Sequence, residues 1–269
     1  MKQIINKIYC QDNLEVLKTL PSESIDTVIT DPYFEVMSIG HSKATKQDQK
    51  SNFIEVCKLL IEIMKPNSNL VFFCAQSWML DNYKKIKDIG FNFQYELIWN
   101  KNRGVSFLTA KKRPLQKHET IYVFSKGDVV YYYDQAKTLG HKPTKRGKYT
   151  IEKDYVNIKT NEHKNDGERF MTTVLDYKVS SYNKHTSHPF EKPVDISQQL
   201  VKAYSKKDDI VLDPYSGSGN ICLAAVLLGR NYIGIEIDKS YYEESVDNLK
   251  KMFLRYEIKD EKGLDKFAK

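Results

Sequence analysis

Cysteine is scarce in this sequence, and its spacing argues against two common uses of it. Only four cysteines occur among 269 residues, at positions 10, 57, 74 and 222, and no two form a C-x-x-C pair. The pattern predicts neither a disulfide framework nor a zinc site. We interpret all four as small hydrophobic residues of the core. His185 and His188 lie three residues apart without an acidic or cysteine partner, so no metal site is predicted there.

Long hydrophobic runs are also missing. No apolar run is long enough to span a bilayer, and polar residues interrupt the first ten positions, MKQIINKIYC, where a secretory signal needs an apolar core. We therefore expect a soluble, cytoplasmic protein. The sequence also lacks a Walker-type lysine and a G-x-S-x-G segment, so neither a nucleoside triphosphatase nor a hydrolase with a nucleophile elbow is predicted.

The excess of basic charge is mild overall but concentrated in one region. Lys and Arg total 42 against 35 Asp and Glu, a formal charge of +7. Residues 137–185 alone hold eleven basic and six acidic residues, a net charge of +5. If this region binds nucleic acid, its basic side chains would hold the phosphates and its polar side chains would read the base edges. A solvated basic surface is the alternative interpretation.

Short apolar runs alternate with helical patterns along most of the chain. The predicted strands are IINKIY, IDTVIT, NLVFFCA, FQYELIW, TIYVFS, DIVLD and NYIGIEI. The predicted helices cover residues 13–20, 51–65, 77–88, 191–205, 219–229 and 240–256. Asp12 followed by Glu15 predicts a capping box at the first helix. The alternation indicates an α/β fold with a mostly parallel sheet flanked by helices.

The segment IVLDPYSGSGNICLAAVLLGRNYIGIEID carries the clearest functional pattern. A strand ends in Asp213, a turn follows with Gly217 and Gly219, and after a helix a second strand ends in Glu236. The glycines would let the backbone approach a ligand, and the acid would suit a pair of ribose hydroxyls. Cys222 stands where dinucleotide binding needs a third glycine, which favours a nucleoside ligand without phosphates. A tight turn with no ligand is the alternative.

A second notable stretch, Asp31-Pro32-Tyr33-Phe34, directly follows the apolar run IDTVI. Read alone, it is a capped turn in which aspartate accepts backbone hydrogen bonds and proline fixes the bend. Its position after a predicted parallel strand also places it where ligands bind in such sheets.

Four segments occur in an order that resembles the amino-methyltransferases of DNA, in the permuted arrangement with the catalytic motif before the cofactor motif. They are CQDNLEVLKTLPSESIDTVITDPYF, WNKNRGVSFLTAKKRPLQKHETIYVFSKG, HPFEKPVDISQQLVKAYS and VLDPYSGSG. The resemblance covers residues about 5–127 and 186–250. It implies a Rossmann-like methyltransferase fold, S-adenosylmethionine as cofactor and DNA as partner. The chain would comprise a catalytic half (1–127), an inserted target-recognition region (128–187) and a cofactor-binding half (188–269).

The resemblance implies methyl transfer to the exocyclic amine of a base that has left the duplex. Such an amine is a poor nucleophile because its lone pair is shared with the ring. The Asp31 carboxylate and the Pro32 carbonyl would accept hydrogen bonds from its N–H groups, and an aromatic ring would stack on the base. The family has a second proline here. Either Tyr33 replaces that proline and Phe34 stacks, or one residue is deleted and Tyr33 stacks.

The resemblance also assigns residues to the cofactor. Glu236 would bind the ribose hydroxyls, and Asp12 and Asn13 would meet the adenine edge. The remaining residues implied at the cofactor are Asp31, His188, Lys192, Pro193, Asp213, Tyr215, Gly217, Gly219 and Asp238. Asp12 can cap its helix at the same time, and Lys192 also fits an ordinary lysine at a helix start.

The implied DNA contacts are Lys111, Lys112, Arg113, Lys145, Arg146 and Lys148. Asp31 stands where cytosine-modifying relatives commonly have serine, which favours adenine, so we predict a site-specific DNA adenine methyltransferase. The alternatives are an enzyme for the 4-amino group of cytosine or for RNA, and a catalytically weak relative serving as a DNA-binding subunit. A companion restriction endonuclease and a homodimer are further expectations.

Overall fold

The computed structural model describes residues 4–33, 52–105, 110–139, 144–146, 150–153, 156–159, 163–165, 167–179 and 192–261. The chain divides into two compact units, a larger one of Met1–Tyr132 with Thr173–Lys269 and a smaller one of Tyr133–Thr172. The described helices and strands are, in chain order, β1 (Lys7–Cys10), α1 (Asn13–Leu17), β2 (Ile25–Thr30), α2 (Phe53–Ile63), β3 (Met64–Cys74), α3 (Gln76–Ile89), β4 (Asn92–Val105), β5 (Gln116–Lys126), β6 (Thr138–Leu139), β7 (Thr144–Arg146), β8 (Thr150–Lys153), β9 (Val156–Lys159), β10 (His163–Asn165), β11 (Glu168–Arg169), β12 (Val174–Asp176), α4 (Val194–Tyr204), β13 (Ile210–Asp213), α5 (Asn220–Leu227), β14 (Asn231–Glu236) and α6 (Lys239–Glu261).

The larger unit is built on one eight-stranded sheet with the order β1-β14-β13-β2-β3-β5-β4-β12. The strands from β1 to β3 in this order are all parallel to their neighbours. β5 runs antiparallel to both β3 and β4, and β12 returns parallel to β4. The predicted mostly parallel α/β sheet is therefore confirmed. The antiparallel β5 brings its first residues to the edge where the parallel strands end.

Helices cover both faces of this sheet. One core cluster joins α1, α2 and α3 to alternate strand residues such as Val28, Leu70 and Phe72. The intervening residues, among them Ile29 and Val71, are buried as well and face the other way. On that second face α4 and α5 pack against each other and contact β2, β13 and β14. Among the described residues, no helix combines the length and apolar character needed to cross a membrane.

The predicted helix cap and cysteine burial are each confirmed only in part. The Asp12 carboxylate accepts a hydrogen bond from the Leu14 N–H at 2.8 Å and so caps α1, while Glu15 pairs with Lys18 at 3.1 Å. Three cysteines are buried, but Cys10 is exposed, so the prediction that it belongs to the core is wrong. Cys10 is the last residue of β1, which lies at the edge of the sheet, and an edge strand is covered less completely than a central one.

The smaller unit consists, in its described part, of short antiparallel pairs. β6 pairs with β11, β7 with β10 and β8 with β9. The rings of Tyr133 and Phe170 lie 6.0 Å apart, and the Lys137 ammonium lies 6.0 Å from the Phe170 ring and 3.0 Å from the Asp134 carboxylate. That this unit recognises the DNA target remains a prediction.

Candidate active site

Two strand ends meet at the carboxyl edge of the sheet. β2 and β13 are parallel neighbours, so their last residues lie side by side. The Thr30 hydroxyl donates to the Asp213 carboxylate at 2.7 Å and joins these two ends directly. Asp31 follows Thr30 in the chain, so the segment Asp31-Pro32-Tyr33 begins next to the turn that follows β13. The two segments singled out in the sequence therefore belong to one site.

The turn between β13 and α5 contains the two predicted glycines, both with left-handed backbone angles. Gly217 has φ 49° and Gly219 has φ 81°. A β-carbon on Gly219 would lie 2.8 Å from the Ser245 β-carbon of α6, closer than packed carbon atoms can approach. Gly219 is therefore required by the turn and by close packing of α6, and its approach to the cofactor remains a prediction.

Glu236, the last residue of β14, is held by two backbone groups. The Gly217 N–H donates to one carboxylate oxygen and the Asp238 N–H donates to the other, each at 2.8 Å. A carboxylate has about four lone-pair positions, so both oxygens can still accept from a diol. Asp238 itself accepts from the N–H groups of Ser240 and Tyr241 and caps α6. Its geometry is that of a helix cap.

Asp213 is a buried carboxylate with only 1% of its surface exposed. It accepts hydrogen bonds from the Thr30 hydroxyl and from the Tyr215 N–H, at 2.7 and 3.1 Å. Burial, reinforced by the negative charges of Asp31 and Glu236, raises its pKa to about 7 despite those bonds. In the part of the chain that the structure describes, no Lys, Arg or His forms an ion pair with it. Such a site fits a ligand that carries positive charge.

An amide network ties α1 and α2 to the turn after β13. The Asn13 side chain donates to the Pro214 carbonyl at 3.2 Å and accepts from the Asn52 amide at 3.0 Å. The Tyr215 hydroxyl donates to the Asn52 side-chain oxygen. Asn13 is buried and its amide is engaged at both ends, so its contact with adenine remains a prediction. Asn52 was not identified from the sequence, since nothing in its local pattern marks it.

Four charged side chains form a row of alternating sign, which we call the charged row: Asp31, Lys192, Glu119 and Lys101. The Lys192 ammonium lies 2.7 Å from the Asp31 carboxylate and 3.2 Å from that of Glu119. The Lys101 ammonium pairs with the other oxygen of Glu119. Both lysine side chains are only 11% exposed. The predicted Lys192 is thus part of the site, whereas Glu119 and Lys101 were missed.

The charges of the row fix one another's ionisation. Burial alone would lower the pKa of Lys192, but the carboxylates of Asp31 and Glu119 outweigh burial and raise it. Burial would likewise raise the pKa of Glu119, but the two lysines hold it below its ordinary value. Lys192 and Glu119 therefore keep their charges near neutral pH, through partners that lie on different elements.

A family model described as DNA methylase matches residues 25–247. The chain belongs to this DNA methylase family. It is 26% identical to the type II methyltransferase M.HinfI of Haemophilus influenzae over 275 residues, which cover 94% of this chain and 70% of that protein.

Solved structures confirm the fold of this DNA methylase. The M1.HpyAVI–SAM complex is similar with a TM-score of 0.62 and 23% identity, covering 90% of this chain and 98% of that one. The cytosine-N4-specific PvuII DNA methyltransferase gives a TM-score of 0.64 at 18% identity, covering 89% and 84%. The predicted Rossmann-like methyltransferase fold is confirmed. S-adenosylmethionine, the predicted cofactor, is the methyl donor of this family.

The segment predicted to bind the base is described as far as Tyr33. The Asp31 side chain is 30% exposed, Pro32 is buried and Tyr33 is 64% exposed. Phe34 lies outside the described residues, so both readings of the missing second proline remain open. The exposed Tyr33 ring, two residues after Asp31, is accessible for stacking on a base.

The other predicted residues of the methylase differ in how far the structure describes them. Pro193 is buried and precedes α4, and its carbonyl accepts from the Ser197 N–H at 3.2 Å. His188 and Lys148, like His185, lie outside the described residues. Two groups of basic residues remain predicted DNA contacts: the exposed Lys111, Lys112 and Arg113 of the turn before β5, and Lys145 and Arg146, which belong to β7.

Proposed function

We propose that this chain is a site-specific DNA adenine methyltransferase that methylates the 6-amino group of an adenine turned out of the duplex. The observation that carries the proposal is the Thr30–Asp213 hydrogen bond, which joins the ends of β2 and β13, so that Asp31 follows at the same edge of the sheet as the glycine turn and Glu236. Methyl transfer from the cofactor to a DNA base requires a hydrogen-bond acceptor for the amine of the base and a nucleoside-binding turn at the same edge of the sheet.

The chain's own groups divide the work in this proposal. S-adenosylmethionine, when bound, supplies an electrophilic methyl group on a sulfonium. Glu236 accepts hydrogen bonds from the ribose hydroxyls, and the buried Asp213 offsets the positive charge of the cofactor. Asp31 and the Pro32 carbonyl accept hydrogen bonds from the two amine N–H groups and draw the nitrogen towards tetrahedral geometry, and the Asp31 carboxylate takes up the one proton that the amine loses when it is methylated. Tyr33 or Phe34 stacks on the base and offsets part of the cost of unstacking it, which is roughly a few kcal/mol.

The choice of adenine rests on the aspartate at position 31. Cytosine-modifying relatives commonly have serine there, and the solved structures of similar fold include a cytosine-N4 enzyme, so the fold does not separate the two bases.

Transfer of a labelled methyl group to unmethylated DNA tests the function, followed by digestion and identification of the labelled nucleoside. The proposal predicts N6-methyladenine. N4-methylcytosine would overturn the choice of base, and label in RNA alone would overturn the choice of nucleic acid. If the protein binds both DNA and cofactor but transfers no label, it would be the catalytically weak DNA-binding subunit instead.

The companion endonuclease and the homodimer belong to the same proposal. Relatives such as M.HinfI and M.BglII are named type II methyltransferases. If a companion endonuclease exists, DNA methylated by this chain should resist it while unmethylated DNA is cut. Sedimentation equilibrium of the chain with and without DNA would show whether two copies associate.

A further inference from the structure

Glu119 occupies a central place in the charged row although it lies in the second of the four family-like segments and in neither the cofactor segment nor the Asp31-Pro32-Tyr33-Phe34 stretch. It sits on β5, opposite Trp99 of β4, and its two oxygens hold two different lysines. Each ammonium also lies over an aromatic ring: Lys192 is 5.0 Å from the centre of Phe73 and Lys101 is 5.3 Å from that of Trp99. The position of Lys192 is thus fixed from several sides.

Lys192 is shared between two carboxylates, of which only Asp31 contacts the base in the proposed function. Its ammonium has three donors, and it contacts Asp31 at 2.7 Å and Glu119 at 3.2 Å. An ammonium that faced Asp31 alone would direct its whole charge at the carboxylate that must accept the amine protons. Sharing with Glu119 reduces that effect, because a second negative charge at a similar distance offsets part of the field.

We propose that Glu119 is a positioning residue for methyl transfer, which holds Lys192 against Asp31 and offsets part of its charge. This inference rests on the proposed role of Asp31 as the acceptor of the amine protons. Glu119 touches neither the base nor the cofactor in this account. It acts on the reaction only through Lys192, by fixing the orientation of the Asp31 carboxylate and preserving its strength as an acceptor.

A pair of variants separates this role from simple stabilisation. Glu119→Gln leaves Lys101 and Lys192 with one carboxylate between them, so both thermal stability and the transfer rate should fall. Glu119→Gln combined with Lys101→Gln removes the surplus charge and should recover most of the lost thermal stability. The transfer rate should stay low in the double variant, because Lys192 still faces Asp31 alone.

The experiment measures single-turnover methyl transfer at saturating cofactor and DNA, since product release can limit multiple turnovers. The rate should fall about ten- to a hundredfold in both variants, the effect of one altered hydrogen bond to a charged group. The affinity for S-adenosylmethionine, measured by calorimetry, should change less than about threefold. Glu96→Gln, an exposed glutamate of β4, is the matched control and should leave rate and melting temperature unchanged.

The outcomes distinguish the inference from the function on which it rests. Recovery of the rate together with the melting temperature in the double variant would show a structural role only and overturn the inference. A Glu119→Gln rate within about twofold of the unaltered chain would overturn it as well. Absence of transfer by the unaltered chain would overturn the proposed function, and with it the role of Glu119.

Discussion

An aspartate lies near each end of β2, Asp26 within the strand and Asp31 directly after it, and the two are held in different ways. Asp26 is near the amino end: one oxygen lies 2.6 Å from the Lys65 ammonium of β3, and the other accepts from the Ile210 N–H of β13 at 2.9 Å. Asp31, just past the carboxyl end, pairs with Lys192, which a second carboxylate shares. The first aspartate links three strands, whereas the second is oriented by a side chain of the charged row.

The comparison shows how one residue type takes two roles within six positions of the chain. Parallel strands place their ligand-binding loops at the carboxyl edge, while the amino edge is available for connections within the fold. A carboxylate whose partners come from neighbouring strands stabilises the sheet. A carboxylate beside a glycine turn and an exposed ring is placed, in the proposal above, for chemistry.

The largest effect is expected from Asp31→Ala. Methyl transfer should fall by about a thousandfold or more, since an acceptor positioned for proton transfer contributes about that much. Binding of S-adenosylmethionine should be retained, and single-turnover transfer with calorimetry on the same preparation measures both. Asp88→Ala, which removes an exposed aspartate of α3, is the control. Retention of transfer in Asp31→Ala would refute the role assigned to this carboxylate.

A third aspartate, Asp213, extends the comparison to pH. Its pKa is raised from 3.8 to about 7 by burial, so the folded state binds its proton more tightly than the unfolded state does. Below about pH 4 both states are protonated and no stability is lost. Between about pH 4 and 7 this group progressively destabilises the fold, by up to about 4 kcal/mol above pH 7.

The variant Asp213→Asn isolates that contribution. The difference in free energy of unfolding between the variant and the unaltered chain, measured by urea denaturation from pH 5 to 8, should shift in favour of the variant as pH rises. A difference that does not change with pH would contradict the raised pKa. The variant should also bind the cationic cofactor more weakly at pH 8, because the offsetting charge is gone.

Glu236→Gln should weaken binding of the cofactor rather than binding of the base. A neutral amide accepts hydrogen bonds less strongly than a carboxylate, so we expect the dissociation constant for S-adenosylmethionine to rise about tenfold to a hundredfold. Calorimetry measures it, with Glu243→Gln on the exposed face of α6 as the matched control. Unchanged affinity would exclude Glu236 from the ribose site.

The smallest effect is expected from Asp26→Ala, and it falls on stability. The Lys65 side chain is 44% exposed, so solvent weakens the ion pair, and the hydrogen bond from Ile210 provides most of the effect. We expect a loss of about 1 kcal/mol in free energy of unfolding, measured by urea denaturation, and an unchanged transfer rate. A large loss of transfer without a loss of stability would remove the contrast between the two aspartates.

Much of the fold could be predicted because its signals are local. Apolar runs such as IDTVIT and NLVFFCA form buried central strands, and the helices begin close to the predicted residues. Asp213, Gly217 and Glu236 were recognisable because one strand–turn–helix–strand unit contains them. Cys10 was misjudged because the sequence does not show that β1 lies at the edge of the sheet.

The charged row could not be predicted because it depends on strand order. Glu119 meets Lys192 only because β5 inserts antiparallel between β3 and β4. Asn52 joins Asn13 and Tyr215 across more than 160 positions of sequence, and no local spacing indicates such a contact. These residues were missed because their partners are brought together by the folded sheet, not by the motifs.

The most direct test of the account is a crystal structure of the chain with S-adenosylmethionine or its demethylated product and DNA containing the target site. The account predicts a purine outside the duplex, with its amine nitrogen within about 3.2 Å of the Asp31 carboxylate and the ribose of the cofactor on Glu236. A cofactor bound away from the turn at Gly217, or an amine that contacts other residues while Asp31 faces away, would contradict it.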